Sequence, residues 1–399
     1  MRALNISRIY INFMLIALVL SCFEWGLFSY YIIFLGSLFS IRLLKKLPTY
    51  QLNILYVLYF FNIASAFSGE FRGIPFNFSW ILQIFLLPLI LVGFHYLYQS
   101  QKIYFNKILV VFFKISITLL ITQFTIGMLS AGFSLINESD YIRVASNFSN
   151  ASTKEIGLYK SIISMVAFSS FIIIFDNFSK RKQYIYLSII IVCTIISGVK
   201  SVIIGMLAVS LIYWLLLKKR QTRFLIISLI VILLPITVLK FSNILNELLI
   251  FEGRYFKPIL SSIDFWNTPF GFGMGNYYTT AIDNHILIDT EGLFVVTWRN
   301  SEMSQFGMIP VPESDLLLLS VSFGWVFYLF FIIAVLNVIY NNLIKIKYKT
   351  VENTRGFILF VFIIFSGIFQ DWLGAHTTWV FLALSLSMMY SSNYKLNEN

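Results

Sequence analysis

Apolar residues fall in continuous runs of about 17 to 25 along most of the chain, without the alternation of a half-buried strand. Runs of that length predict membrane-crossing helices, because an α-helix needs about 20 apolar residues to traverse a hydrocarbon core. The first two, at about 9–23 and 25–41, form a hairpin turning at Glu24-Trp25-Gly26. Spans at about 51–68 and 78–98 flank a turn holding Glu70, Arg72 and Pro75, and a fifth at about 108–129 follows a link with Lys102 and Lys107. Beyond a polar stretch come spans at about 157–176, 184–199 and 201–217, the last two meeting at Ser197-Gly198-Val199-Lys200-Ser201. Span nine, about 224–241, opens onto a long polar interruption. Span ten, about 316–340, closes it, and a hairpin of about 356–373 and 376–391 completes the set. The pattern predicts an all-α integral membrane protein of about 12 transmembrane helices. It forms a single polytopic domain over 1–399, with one large loop over 242–315 between spans nine and ten. A simple reversal needs only a few residues, so a loop of that size calls for a function.

Charge orients this pattern. Of 29 lysines and arginines, nineteen fall in alternate links assigned to the cytoplasm, among them Lys180-Arg181-Lys182 and Lys218-Lys219-Arg220; only three of 18 acids (Asp176, Glu352, Glu398) do. That is the positive-inside distribution; it puts both termini in the cytoplasm and the 242–315 loop outside. The net charge of +11 is thereby explained without a nucleic-acid partner. The composition, 58% hydrophobic and 12% charged with a mean hydropathy of +0.82, excludes a soluble globular domain. Cys22 and Cys193 both fall in apolar runs, so no disulfide framework is expected. Val19-Leu20-Ser21-Cys22 loosely resembles a lipoprotein cleavage site but reads better as part of a retained first span.

Against this apolar background the polar positions stand out. Two roles fit Lys200 at the outer junction of spans seven and eight: a lysine snorkelling from a helix end, or an anion contact beside the free helix N-terminus beginning at Ser201. Arg254, in Gly253-Arg254-Tyr255-Phe256-Lys257-Pro258, sits on the side where basic residues are disfavoured. Its guanidinium suits phosphate oxygens, or pairs with Glu252 or Asp264. Gly271, Gly273 and Gly275 alternate in Pro269-Phe270-Gly271-Phe272-Gly273-Met274-Gly275-Asn276, which predicts tight turning or close backbone approach and lacks dinucleotide-fingerprint spacing. Glu313-Ser314-Asp315 stands directly before span ten. Ser314 or Asp315 fits the helix cap, leaving Glu313 partly desolvated and suited to act as a general base. No spacing of His, Cys, Asp and Glu predicts a metal site.

These residues, in this order, resemble the bacterial O-antigen polymerases of the Wzy type and the related O-antigen ligases. Four features carry the likeness across Ser197 to Gly324: the small-residue motif with a cation at Ser197 to Ser201; a long late loop with an Arg soon after its start; the Gly-rich stretch Asn267 to Gly275; and the polar pair Glu313-Ser314 spaced from Gly324 in the next span. The ligases usually begin that pair with His, so Glu313 favours the polymerases, and Lys200 stands where Arg is more usual. The resemblance implies a glycosyltransferase C-like membrane fold in the bacterial inner membrane. It also implies transfer of a growing glycan from undecaprenyl pyrophosphate to a lipid-linked O-antigen repeat unit at the periplasmic face, in lipopolysaccharide biosynthesis. The partners implied are the undecaprenyl-pyrophosphate-linked oligosaccharide, membrane lipids and a chain-length regulator protein, beside which the group commonly works.

The chemistry suits the residues. A lipid pyrophosphate is already a leaving group, so no cofactor, nucleotide or metal is called for. Cations must hold the charge that develops on it, a role for Lys200 and Arg254, with Arg299 and Arg72 as further candidates. A base must deprotonate the attacking sugar hydroxyl, a role for Glu313. Two other functions remain open at this stage: ligation of finished polymer onto the lipid A core, and transport of lipid-linked sugars. The concentration of polar residues in one late loop, without a repeat relating the halves, weighs against transport.

Overall fold

The computed structural model describes residues 78–130, 160–196, 199–216, 269–271, 315–345, 350–367 and 376–390, with scattered helical positions between 9 and 68. Among the described residues the secondary structure is helical throughout, with no strand. The elements are α1 (Phe78–Ser130), α2 (Lys160–Ile174) with a 3-10 turn at Phe175–Asn177, α3 (Lys180–Ile196), α4 (Lys200–Leu216), α5 (Asp315–Lys345), α6 (Val351–Gly367) and α7 (His376–Tyr390). Two stretches, Lys102–Ile126 and Phe323–Leu343, are long and apolar enough to cross a membrane. In Phe323–Leu343, 17% of the most apolar stretch is buried, so most of it faces outward. Its outward face carries Phe330, Ile333 and Leu336, an apolar surface suited to lipid.

The link expected between spans at about 78–98 and 108–129 is itself helical. Gln99 to Lys107 contains neither Gly nor Pro, so nothing local ends the helix, and Lys102 and Lys107 stand on helical residues. Lys102 instead forms an ion pair with Glu352, whose second oxygen accepts the Tyr98 hydroxyl. Similarly, Arg355 pairs with Asp176 and donates from Nη1 to the Ile173 carbonyl at 3.2 Å, satisfying one of the orphan acceptors in the last turn of α2. Asn353 works in two directions. The Asn353 amide donates to Thr350 Oγ1 at 3.2 Å while the Thr350 amide donates to Asn353 Oδ1 at 3.1 Å, a reciprocal cap that starts α6. Its Nδ2 also donates to the Met388 and Met389 carbonyls at 3.3 and 2.5 Å, closing the end of α7. The start of α6 and the ends of α2 and α7 therefore meet at one end of the bundle.

Aromatic packing fills the space above this polar end. Phe113 of α1 lies 5.8 Å from Phe171 of α2 and 5.2 Å from Tyr186 of α3, ring centre to ring centre. Phe168 of α2 meets Phe362 of α6 edge-on at 4.7 Å. Where α4 crosses α6 the helices approach closely because Gly205 has no side chain. A Cβ there would stand 2.1 Å from Ser366 Oγ and 2.7 Å from the Phe362 ring. Gly356 does the same for α6 against α7, facing the Ser385 carbonyl and Met389 amide. Small residues at such crossings allow the backbone approach on which helix association in lipid depends.

Candidate functional site

The start of α4, with Lys200, and the break in α5 at Gly324 lie at the opposite end of this bundle from Glu352. Two helix directions establish which parts of the chain reach it. In α4, Ile212 and Leu215 pack with Phe357 and Met389, whereas Gly205 faces Phe362 and Ser366. The first residue of α4, Lys200, therefore stands at the end away from the polar cluster. Just before it, the Val199 amide donates to the Thr194 carbonyl at 3.3 Å. At the same end Thr378, near the start of α7, donates from its hydroxyl to the Met165 thioether Sδ at 3.8 Å.

α5 reaches this end through a break. At Gly324 the backbone turns to φ 80 and ψ 173, a conformation essentially confined to glycine, and divides α5 in two. The Val326 amide, which an unbroken helix would direct to the carbonyl of residue 322, donates instead to the Pro269 carbonyl at 3.3 Å. Pro269 and Phe270 form a turn, and Gly271 follows at φ 72. A Cβ on Gly324 would lie 2.2 Å from the Pro269 oxygen and 2.4 Å from the Gly271 nitrogen. Phe270 packs on the cluster of Phe61, Phe323 and Phe327, against which Trp379 also packs, and meets Phe60 edge-on at 6.5 Å. Trp379 belongs to the early part of α7, so the break and the turn docked on it share the end where α4 begins.

Of the candidate site residues, Lys200 and Asp315 are each the first residue of a helix, α4 and α5, and Gly271 lies in the docked turn. Glu313, Ser314, Arg72, Arg254, Arg299, Gly273 and Gly275 lie outside the described residues. So does most of the 242–315 loop. Gly324 entered the sequence pattern only through its spacing from Glu313-Ser314; its break has no signal beyond a lone Gly within an apolar run. Phe60 and Phe61, which hold Phe270 and Phe327, carried no signal in a chain with 42 phenylalanines. Another feature read from structure alone is Gln123, buried in the Lys102–Ile126 helix with neither amide atom partnered among the described residues.

Comparison with known proteins returns no matching family model, no matching curated protein and no matching solved structure.

Proposed function

We propose that the chain is a metal-independent membrane glycosyltransferase of the O-antigen polymerase type, in the bacterial inner membrane. In this reading about twelve spans enclose one large periplasmic loop, and both termini are cytoplasmic. The observation that carries the reading is the contact between the Gly-rich turn at Pro269–Gly271 and Gly324. Two features that the family resemblance orders along the chain, some 50 residues apart, touch through their backbones. The start of α4, with Lys200, lies at the same end of the bundle. One further observation supports the orientation: Asp176 and Glu352, in segments assigned to the cytoplasm, are held at the other end, Asp176 by Arg355 and Glu352 by Lys102 of α1.

The reaction transfers a glycan between lipid carriers. Glu313 takes the proton from a sugar hydroxyl of the incoming lipid-linked repeat unit. That oxygen bonds to the anomeric carbon of the growing glycan as the bond from this carbon to the pyrophosphate oxygen breaks. The electron pair leaves with undecaprenyl pyrophosphate. Lys200 and Arg254, with Arg299 and Arg72, hold the diphosphate and offset its growing charge.

The test is expression of Glu313→Gln and Arg254→Ala at normal levels in cells lacking the native gene. Both are expected to shorten the lipopolysaccharide ladder to a single repeat unit on the core. Full-length ladders from both variants would remove the site assignment, and bare core in the deletion strain would mark a ligase instead.

A further inference from the structure

Backbone, not side chain, fills the space beside Gly324. The Pro269 oxygen and the Gly271 nitrogen occupy the position a Cβ would take, and the same oxygen accepts the Val326 amide that the break releases from its helix. Between those two residues Phe270 is anchored among Phe60, Phe323 and Phe327. Three different constraints thus coincide within three residues: a hydrogen bond, a fit that excludes any side chain, and an aromatic anchor. Each half completes the other. The break leaves an amide without a helical carbonyl, and the turn presents a carbonyl to it.

We infer that Pro269–Gly271 and Gly324 form a joint that pins the polar loop to the helix bundle, with Gly271 and Gly324 as positioning residues. The joint sets the direction in which Asp315–Phe323 leaves the rest of α5, and it fixes the register of the loop on the bundle. Only its use in presenting the loop's charged residues to a lipid diphosphate rests on the glycosyltransfer reading; the joint itself is independent of that reading, and so is its test.

The test uses the full-length chain in membranes with Cys22 and Cys193 replaced by alanine. Cysteines placed at Pro269 and Val326 report the joint through a short bis-methanethiosulfonate cross-linker, read by intact mass. Cysteines at Met165 and Thr378, whose native side chains lie 3.8 Å apart, report the bundle at the same end. Both pairs are expected to link in the parent. Adding Gly324→Val should lower linking of the joint pair roughly fivefold or more, since a β-branched residue cannot adopt that backbone, and leave the bundle pair unchanged. Unchanged linking of the joint pair, or its failure in the parent while the bundle pair links, overturns the joint. Should Gly324→Val abolish both, Gly271→Ala decides: it strains the turn through its φ of 72 without adding bulk to α5. Selective loss of the joint pair in that variant supports the joint, and loss of both pairs or neither overturns it.

Discussion

Replacing Gly205 by alanine sets two effects of opposite sign against each other. Alanine in a helix interior is favoured over glycine by about 1 kcal/mol, so propensity alone stabilises the variant. The new methyl, however, would stand 2.1 Å from Ser366 Oγ and 2.7 and 2.8 Å from two carbons of the Phe362 ring. The hydroxyl can rotate away, whereas Phe362 is fully buried and abuts Phe168, so the ring has nowhere to move without displacing α2. Overpacking of this kind costs about 1–3 kcal/mol, which outweighs the propensity gain. Gly205→Ala should therefore destabilise, and Gly205→Val, which lacks alanine's propensity gain, should destabilise more. Ser366 supplies the internal control. Its hydroxyl is buried and unpartnered among the described residues, so Ser366→Ala alone should be neutral or stabilising. The same change removes the nearest clash, and the double variant Gly205→Ala/Ser366→Ala should show a favourable coupling of about 1 kcal/mol. The assay is thermal unfolding of the purified full-length protein in detergent, where that coupling corresponds to roughly 1 °C for a chain of 399 residues. A Gly205→Ala midpoint above the parent's, or strict additivity in the double variant, would refute the close crossing of α4 and α6.

Gly356→Ala should cost more than Gly205→Ala in the same assay, about 3 kcal/mol, because its methyl meets the Ser385 carbonyl and Met389 amide, backbone atoms that cannot rotate aside. Asn353→Ala should lower the thermal midpoint by an amount equivalent to about 2 kcal/mol, since it uncaps α6 and strands the Met388 and Met389 carbonyls. Asn353→Asp keeps the acceptor for Thr350 but sets a buried carboxylate oxygen against the Met388 and Met389 carbonyls, so it should destabilise at least as much as Asn353→Ala. Glu352→Gln should cost less than about 1 kcal/mol, because the Lys102 side chain is 48% exposed; a larger loss would show that the Lys102 pair is screened less than its exposure implies.

How much of this was legible in the sequence depended on the distance over which each feature is determined. Helical class followed from continuous apolar runs, since in lipid a segment must satisfy its own backbone hydrogen bonds. The expected span at about 316–340 overlaps the apolar stretch Phe323–Leu343 because that signal is local, but the break at Gly324 divides it. Lys102 and Lys107 suggested an open link because basic residues are costly in an apolar run. The feature that accommodates Lys102 on a helix, Glu352, stands 250 positions away, and no local pattern carries it. The reciprocal cap at Thr350 and Asn353 was written in the sequence at the usual spacing, with Asn where Glu or Gln is the stronger signal. The candidate site rests on residue type and order, and of its residues only Lys200, Asp315 and Gly271 are among the described ones. Gly324 illustrates the limit: a lone Gly in an apolar run reads as a weak helical position, and only the approach of Pro269 reveals a break.

The pairing of early with late residues has a consequence for biogenesis. A chain enters the bilayer from its N-terminus, so Tyr98, Lys102 and Asp176 are inserted long before the ribosome has made Glu352 and Arg355. Until α6 arrives, the polar groups of α1 and α2 must be tended by water, lipid headgroups or an insertase. The bundle closes only when the residues from about 350 onward are delivered, and a nascent chain halted before them leaves Lys102 and Asp176 without Glu352 and Arg355, charges that quality-control proteases can recognise.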